Sequence, residues 1–219
     1  MTDGWADSAS AWIADMERGD FSREYVLDGP MLARVRARSF ESALDAGCGE
    51  GRFCRMLRGI GVAAIGIDPT QSLIERAREL DPKGDYRLGR AEALDFPDRS
   101  FDLVVSYLTL IDIDDAATAI EEMARVLRPG GSLLIANIAS AVTAGDDYFS
   151  ERAAWAQWRG IRVRNWHRPL SRYMQLLLGQ NLRLAWFEEP EPTGGDSVTA
   201  QRYRVQPWHY LMEWRCGAT

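Results

Sequence analysis

Two acidic residues and a glycine-rich turn are the groups in this sequence that could do chemistry. The turn spans residues 45–52, has glycines at 47, 49 and 51, and is followed after another apolar run by Asp68. Glycines let a ligand approach the backbone closely, and a helix after the turn would begin with free N–H groups. Asp68 could accept hydrogen bonds from both hydroxyls of a ribose. These groups predict a site for an adenosine-type cofactor.

The spacing of the glycines distinguishes two classes of cofactor. Dinucleotide enzymes use a G-x-G-x-x-G turn, whose third glycine packs helix against strand beside a pyrophosphate. Here the turn is G-x-G-x-G, and Asp45 precedes it. An acid at this place favours a cationic amino group over a phosphate, because a carboxylate attracts the former and repels the latter. The spacing therefore argues against a nicotinamide-dependent dehydrogenase.

Short apolar runs that alternate with amphipathic segments must position this turn. The strands are predicted at 42–46, 62–67, 85–88, 101–107 and 132–137, and the helices between them at 52–59, 72–80 and 115–127. This alternation is typical of a parallel sheet covered by helices on both faces. Residues 5–37 are predicted to be helical and residues 140–169 irregular. A helix at 170–178 and strands at 182–188 and 209–215, separated by a loop, complete the prediction.

Length, charge and cysteine content exclude several classes of protein. The chain has 219 residues and a net charge of −6, which favours one domain and disfavours nucleic acid as the main partner. There is no long apolar run and no basic, apolar leader, so we expect no membrane span and no signal peptide. The three cysteines have no metal-ligand spacing. We expect a reduced, cytoplasmic protein without a metal, either a monomer or a homodimer.

The tryptophans are unevenly distributed along the chain. None of the eight lies between residues 13 and 154, so the predicted cofactor-binding part contains none. One interpretation is that they pack the surrounding segments against the core. The other is that they form an aromatic-walled pocket for a flat or cationic substrate.

Four blocks of sequence, in order, resemble the class I S-adenosylmethionine-dependent methyltransferases of the small-molecule type. They are the turn at 45–52, residues 66–69, residues 91–98 leading into 100–104, and residues 125–131. The resemblance implies a Rossmann-like, doubly wound α/β fold with a mostly parallel sheet of seven strands, the last one antiparallel. It also implies a helical lid at 1–38, a cofactor-binding core at 40–140, a cap insertion at 141–169 and a closing helix and strands at 170–219.

The resemblance implies that S-adenosylmethionine is the cofactor. Asp45 would lie near its amine and Asp68 would hold its ribose, whereas Arg52 could contact its carboxylate or simply lie on the surface. One departure is Arg90, because this position is often an acid that binds the adenine amino group. The implied cofactor-binding residues are Asp45, Gly47, Cys48, Gly49, Arg52, Asp68, Pro69, Thr70, Ala91, Glu92, Ser106 and Tyr107.

An acceptor would bind beyond the carboxyl ends of the strands. His167 is our first candidate for a general base, with a structural role as the alternative, and Tyr107 and Asp112 come next. The predicted substrate-binding residues are Trp12, Tyr25, Thr109, Asp112, Tyr148, Trp166 and Arg168.

The resemblance implies methyl transfer to an oxygen or nitrogen atom of a small-molecule metabolite or natural product. The alternatives are methylation of RNA or protein, or a protein that binds the cofactor without catalysis.

Overall fold

A seven-stranded sheet organises the computed structural model, which describes residues 3–217 except the side chain of Ser197. Residues 1, 2, 218 and 219, which belong to the predicted lid and closing segments, lie outside the described residues. The strands are β1 (Ser42–Ala46), β2 (Ala63–Asp68), β3 (Asp85–Leu88), β4 (Phe101–Tyr107), β5 (Leu127–Ile138), β6 (Arg152–Trp158), β7 (Ile161–His167), β8 (Leu182–Glu188) and β9 (His209–Cys216).

Eight α-helices and one π-helical turn accompany these strands in the described part of the chain. The π-helical turn, Arg23–Leu27, runs directly into the second helix. The helices are α1 (Trp5–Glu17), α2 (Asp28–Arg36), α3 (Arg52–Gly59), α4 (Gln71–Leu80), α5 (Ala116–Arg125), α6 (Ser140–Thr143), α7 (Leu170–Leu178) and α8 (Ser197–Val205).

The order of the strands confirms the predicted fold class. The large sheet runs β3-β2-β1-β4-β5-β9-β8, and the first five strands are parallel. Strand β9 is antiparallel to both of its neighbours, β5 and β8. The order of the strands reverses beside β1: β2 and β3 follow it on one side of the sheet, and β4 and β5 lie on the other. A crevice opens at the carboxyl ends of the strands where this order reverses.

Helices cover both faces of the sheet. Side chains alternate between the two faces along each strand, so each strand contributes apolar residues to the cores on both faces. On β9, Tyr210, Met212 and Trp214 pack in the cluster that includes residues of α5 and α7. Leu211 points to the other face, where it joins the apolar residues of α2 and α3. The buried layers on the two faces fix the sheet and hold the carboxyl ends of its strands in place.

The segment 140–169, which was expected to be irregular, contains a β-hairpin. Strands β6 and β7 pair in an antiparallel register from Arg152↔His167 to Trp158↔Ile161. The two residues that connect them, Arg159 and Gly160, have φ angles of 43° and 84°, as a type I′ hairpin turn requires. The prediction was wrong because arginines and tryptophans occupy both faces of these strands and weaken the alternation.

Helix α1 lies on the hairpin and on α4. Its Trp12 packs in one apolar cluster with Leu73 of α4 and with Ile161 and Val163 of β7. At the other end of α1, Asp15 accepts hydrogen bonds from the Arg159 guanidinium at 2.8 Å and from the Trp158 indole at 3.3 Å. The N-terminal helix is thus joined to the hairpin and to α4.

Helix α8 was also missed, since the stretch between β8 and β9 was expected to be a loop. Its N-terminus is capped by Asp196, whose side chain accepts a hydrogen bond from the backbone N–H of Thr199 at 2.8 Å. Its apolar residues have no helical periodicity to reveal it, and Val198 and Val205 are exposed. No helix within residues 3–217 combines the length and the apolar character that crossing a membrane would need.

Candidate functional site

A cleft with an empty volume of about 710 Å³ opens at the carboxyl ends of the parallel strands. This is the place where open α/β sheets bind their ligands. The cleft is lined by Asp3, Trp5, Trp12, Arg23, Gly47, Gly49, Asp68, Pro69, Thr70, Leu73, Arg90, Ala91, Glu92, Tyr107, Leu108, Thr109, Asp112 and Ile113.

A smaller recess of about 380 Å³ adjoins the cleft and shares Trp12, Arg23, Gly47, Gly49 and Tyr107 with it. Its other lining residues are Asp45, Cys48, Arg52 and Phe53. The two spaces adjoin at these shared residues, as two parts of a site for one elongated ligand would.

The glycine turn between β1 and α3 forms the floor where the two spaces meet. The backbone N–H groups of Gly47 and Cys48 both donate to the Ile67 carbonyl of β2 at 2.8 Å. Gly47 has a φ angle of 85°, and a Cβ atom there would lie 2.1 Å from Cγ2 of Thr109. Only glycine fits at this position, because a side chain would be strained by the backbone and would collide with the loop after β4.

Asp68 ends β2 and connects the glycine turn to α4. Its Oδ2 accepts from the Gly49 N–H at 3.0 Å, and its Oδ1 accepts from the Thr70 N–H at 2.8 Å. Burial raises the pKa of this carboxyl, whereas the two backbone donors lower it. Each carboxylate oxygen can accept more than one hydrogen bond. Asp68 can therefore hold the turn and also accept from ligand hydroxyls in the cleft.

Asp45 is buried, and one of its oxygens has no partner. Its Oδ2 accepts from the Cys54 thiol at 3.5 Å, whereas no described group hydrogen-bonds to its Oδ1. Burial raises the pKa of this carboxyl to about 7. A buried carboxylate oxygen without a donor is costly, and a ligand ammonium in the recess would satisfy it. The residue thus fits the amino group of an S-adenosylmethionine-type cofactor.

Arg23 was not predicted from the sequence, although it lines both the cleft and the recess. It lies in the π-helical turn, with its guanidinium carbon 5.7 Å from the Trp12 ring centroid and 5.8 Å from that of Tyr107. Asp20 accepts from its Nη1 at 2.7 Å and from its backbone N–H at 2.8 Å. A π-helical turn often occurs at functional sites, but no spacing in the sequence predicts one here.

Most of the predicted cofactor-binding residues lie together in these two spaces. Ser106 is the exception, because it is fully buried and lines neither of them. Arg52 lines the recess, but its guanidinium donates two hydrogen bonds to the Asp28 carboxylate. Tyr107 donates its phenol hydrogen to the same carboxylate at 2.7 Å. Arg52 is therefore already paired with an acid, which argues against the predicted contact with a cofactor carboxylate.

Of the predicted substrate-binding residues, Trp12, Thr109 and Asp112 lie at the cleft. Four others do not line it, and they are Tyr25, Tyr148, Trp166 and Arg168. Arg168 is buried and donates to the carbonyl oxygens of Leu110 and Ile113, so it supports the loop after β4. The Trp166 N–H donates to the Ile111 carbonyl of the same loop at 2.6 Å.

The other two of these residues have structural contacts as well. Tyr148 accepts a hydrogen bond from the Leu170 N–H with its hydroxyl oxygen at 3.3 Å. Tyr25 packs on the Phe21 ring and is 37% exposed. Its carbonyl, which lies in the π-helical turn, accepts from the Thr193 N–H at 2.8 Å.

His167 is buried, and both of its ring nitrogens are hydrogen-bonded. Its Nε2 donates to the Tyr148 carbonyl at 2.9 Å, and its Nδ1 pairs with the Thr143 hydroxyl at 2.7 Å. The side chain lines neither the cleft nor the recess. A general base needs a free nitrogen within reach of its proton donor. The structure therefore does not support the catalytic role predicted for His167, and instead gives it a structural one.

Replacement of His167 by alanine should lower the free energy of unfolding by about 1–3 kcal/mol, because two buried hydrogen-bond partners lose theirs. Affinity for S-adenosylhomocysteine should stay within about twofold of wild type. Chemical denaturation and calorimetry measure the two effects. A variant with wild-type stability and strongly reduced turnover would restore His167 as the base.

The described residues bring no metal-binding cluster together. Within residues 3–217, no group of three or more His, Cys, Asp or Glu side chains is placed to hold a metal ion.

Comparison with known proteins finds a similarity to methyltransferases. A family model for a methyltransferase domain matches residues 44–135. A malonyl-[acyl-carrier protein] O-methyltransferase of Yersinia pestis is 35% identical over 127 residues, which cover 58% of this chain and 46% of that protein. The chain thus spans about half the length of the curated relatives it matches.

Two solved structures show that the fold extends beyond the matched sequence. A Mesorhizobium loti S-adenosylmethionine-dependent methyltransferase superposes with a TM-score of 0.72 at 22% identity, over 90% of this chain and 99% of that one. The [4+2]-cyclase SpnF superposes with a TM-score of 0.65 at 19% identity, over 88% and 80%. At these identities the likeness is one of fold alone.

Proposed function

We propose that this chain, in which residues 44–135 form a methyltransferase domain of the class I S-adenosylmethionine-dependent family, transfers a methyl group to an oxygen or nitrogen atom of a small molecule. The observation that carries the proposal is a pair of acids in two adjoining spaces that share lining residues. Asp68 faces the cleft, and the unpartnered oxygen of Asp45 lies beside the recess. A ribose and an ammonium are the two groups of S-adenosylmethionine that these acids suit.

Each end of the cofactor has residues of matching chemistry. Asp68 accepts from the ribose hydroxyls, and Asp45 accepts from the amino group. Arg23 lies at the boundary between cleft and recess. It pairs with Asp20 through Nη1 alone, whereas Arg52 engages both terminal nitrogens with Asp28, so the remaining N–H groups of Arg23 donate to the cofactor carboxylate. Ala91 and Glu92 border the adenine. When bound, S-adenosylmethionine supplies an activated methyl group.

The N-terminal helix and the hairpin serve as a lid in this proposal. Trp5 and Trp12 of α1 line the cleft, and their indoles exclude water from it. Residues 1–38 form the lid, 40–140 hold the cofactor, 141–169 form the cap and 170–219 close the sheet. The residues of the chain then contribute by positioning the acceptor and by excluding water, which are large effects for an activated donor.

The likeness to the [4+2]-cyclase favours one other candidate. That protein has the same fold at a TM-score of 0.65, so the fold alone does not require methyl transfer. In this second candidate the chain binds the cofactor and acts on its substrate without transferring the methyl group.

Calorimetry with S-adenosylhomocysteine tests the cofactor proposal. We expect a dissociation constant in the micromolar range, on the order of −8 kcal/mol, and no binding of NAD. Binding of NAD without binding of S-adenosylhomocysteine would contradict the proposal.

Incubation with methyl-labelled S-adenosylmethionine and small-molecule acceptors then tests the transfer. A malonyl thioester is the first acceptor to try, because relatives are named for that activity. Label in a product supports the methyltransferase, whereas tight cofactor binding with conversion of a substrate but no label supports the second candidate.

A further inference from the structure

The cleft carries an arginine where β3 ends, and this arginine affects how an adenine could be held. Arg90 lines the cleft beside Ala91 and Glu92. Its Nη2 donates to Oε1 of Glu92 at 2.8 Å, so a cation already occupies this carboxylate. The 6-amino group of adenine is a hydrogen-bond donor, and a guanidinium cannot accept from it. Glu92 is already paired with this cation, which favours an acceptor from another element of the cleft.

Asp112 is the carboxyl that the loop after β4 contributes to the same cleft. Its Oδ1 accepts from Nδ2 of Asn165, on β7 of the hairpin, at 2.5 Å. The Trp5 side chain, at the start of α1, lies near this carboxyl and lowers its pKa. Asn165 thus orients the Asp112 carboxyl while it faces the cleft. Its neighbour Ile113 lines the cleft as well and offers an apolar contact for a flat ring.

The electrostatic surroundings of Asp112 favour a ligand that donates hydrogen bonds. Burial, together with the nearby acids Asp68 and Asp3, raises the pKa of its carboxyl to about 8. In either protonation state a carboxyl has an oxygen that accepts. A donor from the ligand would compensate for the lost hydration of this half-buried group.

We propose that Asp112 recognises the 6-amino group of the cofactor's adenine, and that Asn165 positions its carboxyl for this contact. The inference rests on the proposed cofactor but assigns a selectivity that methyl transfer itself does not require. The lid would then take part in cofactor recognition, because Asn165 and Trp5 belong to it.

The test compares binding of S-adenosylhomocysteine with binding of S-inosylhomocysteine, in which an oxygen acceptor replaces the amino donor. Wild-type protein should bind the adenosyl ligand at least about tenfold more tightly by calorimetry. Asp112→Asn should weaken binding of the adenosyl ligand about tenfold and should remove or reverse the preference, because an amide can donate to the 6-oxo group.

Asp114→Asn is the matched control, since it makes the same change in an exposed acid of the same loop that lines neither the cleft nor the recess. This variant should keep the wild-type preference. Glu92→Gln tests the competing acid of the cleft, and a switch of preference in Glu92→Gln, or an unchanged preference in Asp112→Asn, would overturn the inference. Thermal unfolding shows whether each variant is folded. If Asp112→Asn fails to fold, Asn165→Leu, which leaves the carboxyl but removes its partner, should reduce the preference several-fold, and an unchanged preference would overturn the inference.

The outcome for the wild type separates this inference from the proposed function. Failure of wild-type protein to bind S-adenosylhomocysteine contradicts both. Micromolar binding of both ligands with equal affinity leaves the cofactor proposal intact and overturns the role of Asp112.

Discussion

Asp45→Asn is expected to make the free protein more stable above pH 7 and to weaken binding of S-adenosylhomocysteine about 100-fold. The gain in stability arises because the carboxylate is buried with one oxygen unpartnered, and an uncharged amide is cheaper to bury. The loss of affinity arises because the ligand ammonium loses a charge-assisted hydrogen bond in a buried site, which is worth about 2–3 kcal/mol. Stability and function therefore conflict at this residue.

The pKa of Asp45 gives the sign of the pH effect. In the folded protein it is raised from 3.8 to about 7, so between these values the folded state binds more protons than the unfolded state. The contribution of this group to stability therefore falls as pH rises from about 4 to 7. A shift of this size corresponds to about 4 kcal/mol. The Asp45→Asn variant has no titrating group at this position, so its stability does not fall with pH for this reason.

Thermal unfolding of both proteins at pH 5 and pH 8 measures the difference. The advantage of Asp45→Asn should be larger at pH 8, whereas the control Asp115→Asn should show no such gain. Asp115 is exposed and caps α5 by accepting from the Thr118 N–H. Wild-type affinity for S-adenosylhomocysteine should also fall about tenfold between pH 8 and pH 6, because Asp45 must lose its proton to bind the ammonium. Equal stability differences at both pH values would show that burial does not raise this pKa.

The cofactor-binding core was predictable because its sequence signals are local. The glycine turn needs residues without a side chain, as the positive φ angle of Gly47 and its approach to Thr109 show. Acids at the ends of two apolar strands must meet at one edge of a parallel sheet. Both features are visible without knowledge of the tertiary structure, and the seven-stranded fold confirms the strands that they follow.

The lid was harder to predict because its structure depends on tertiary contacts. The β6–β7 hairpin packs one face against α1 and leaves Trp155 and Trp158 partly exposed, so its strands have no clean apolar face. Arg23 lines the cleft from a π-helical turn, and no spacing of residues in the sequence predicts such a turn. His167 was a candidate because histidine often acts as a base, but only the structure shows that both of its nitrogens are occupied.

The tryptophans differ in their surroundings, so neither interpretation covers the whole set. Trp5 and Trp12 line the cleft, as an aromatic-walled pocket would require. Trp214 is fully buried in the core. Trp166 lies under two arginine side chains, with the Arg164 guanidinium 4.9 Å and the Arg168 guanidinium 5.2 Å from its ring centroid. The uneven distribution along the sequence therefore does not by itself identify a substrate.

Asp68→Ala is expected to reduce affinity for S-adenosylhomocysteine about 100-fold and to destabilise the free protein. The affinity falls because the ribose hydroxyls lose two charge-assisted hydrogen bonds, worth roughly 2–3 kcal/mol together. The stability falls by about 1–3 kcal/mol because the N–H groups of Gly49 and Thr70 lose their acceptor. Asp68→Asn keeps one carbonyl oxygen and should give smaller losses of both.

A ligand without one ribose hydroxyl separates the two roles of Asp68. Wild-type protein should bind the 2′-deoxy analogue of S-adenosylhomocysteine about tenfold more weakly than the parent ligand, because one hydrogen bond to the carboxylate is missing. Asp68→Ala has no carboxylate to lose and should bind both ligands with similar, low affinity. Calorimetry with both ligands on both proteins gives the coupling energy between the hydroxyl and the Asp68 carboxylate, as in a double-mutant cycle. If the variant is less stable but still distinguishes the two ligands as wild type does, then Asp68 supports only the glycine turn, and the ribose is held by another group in the cleft.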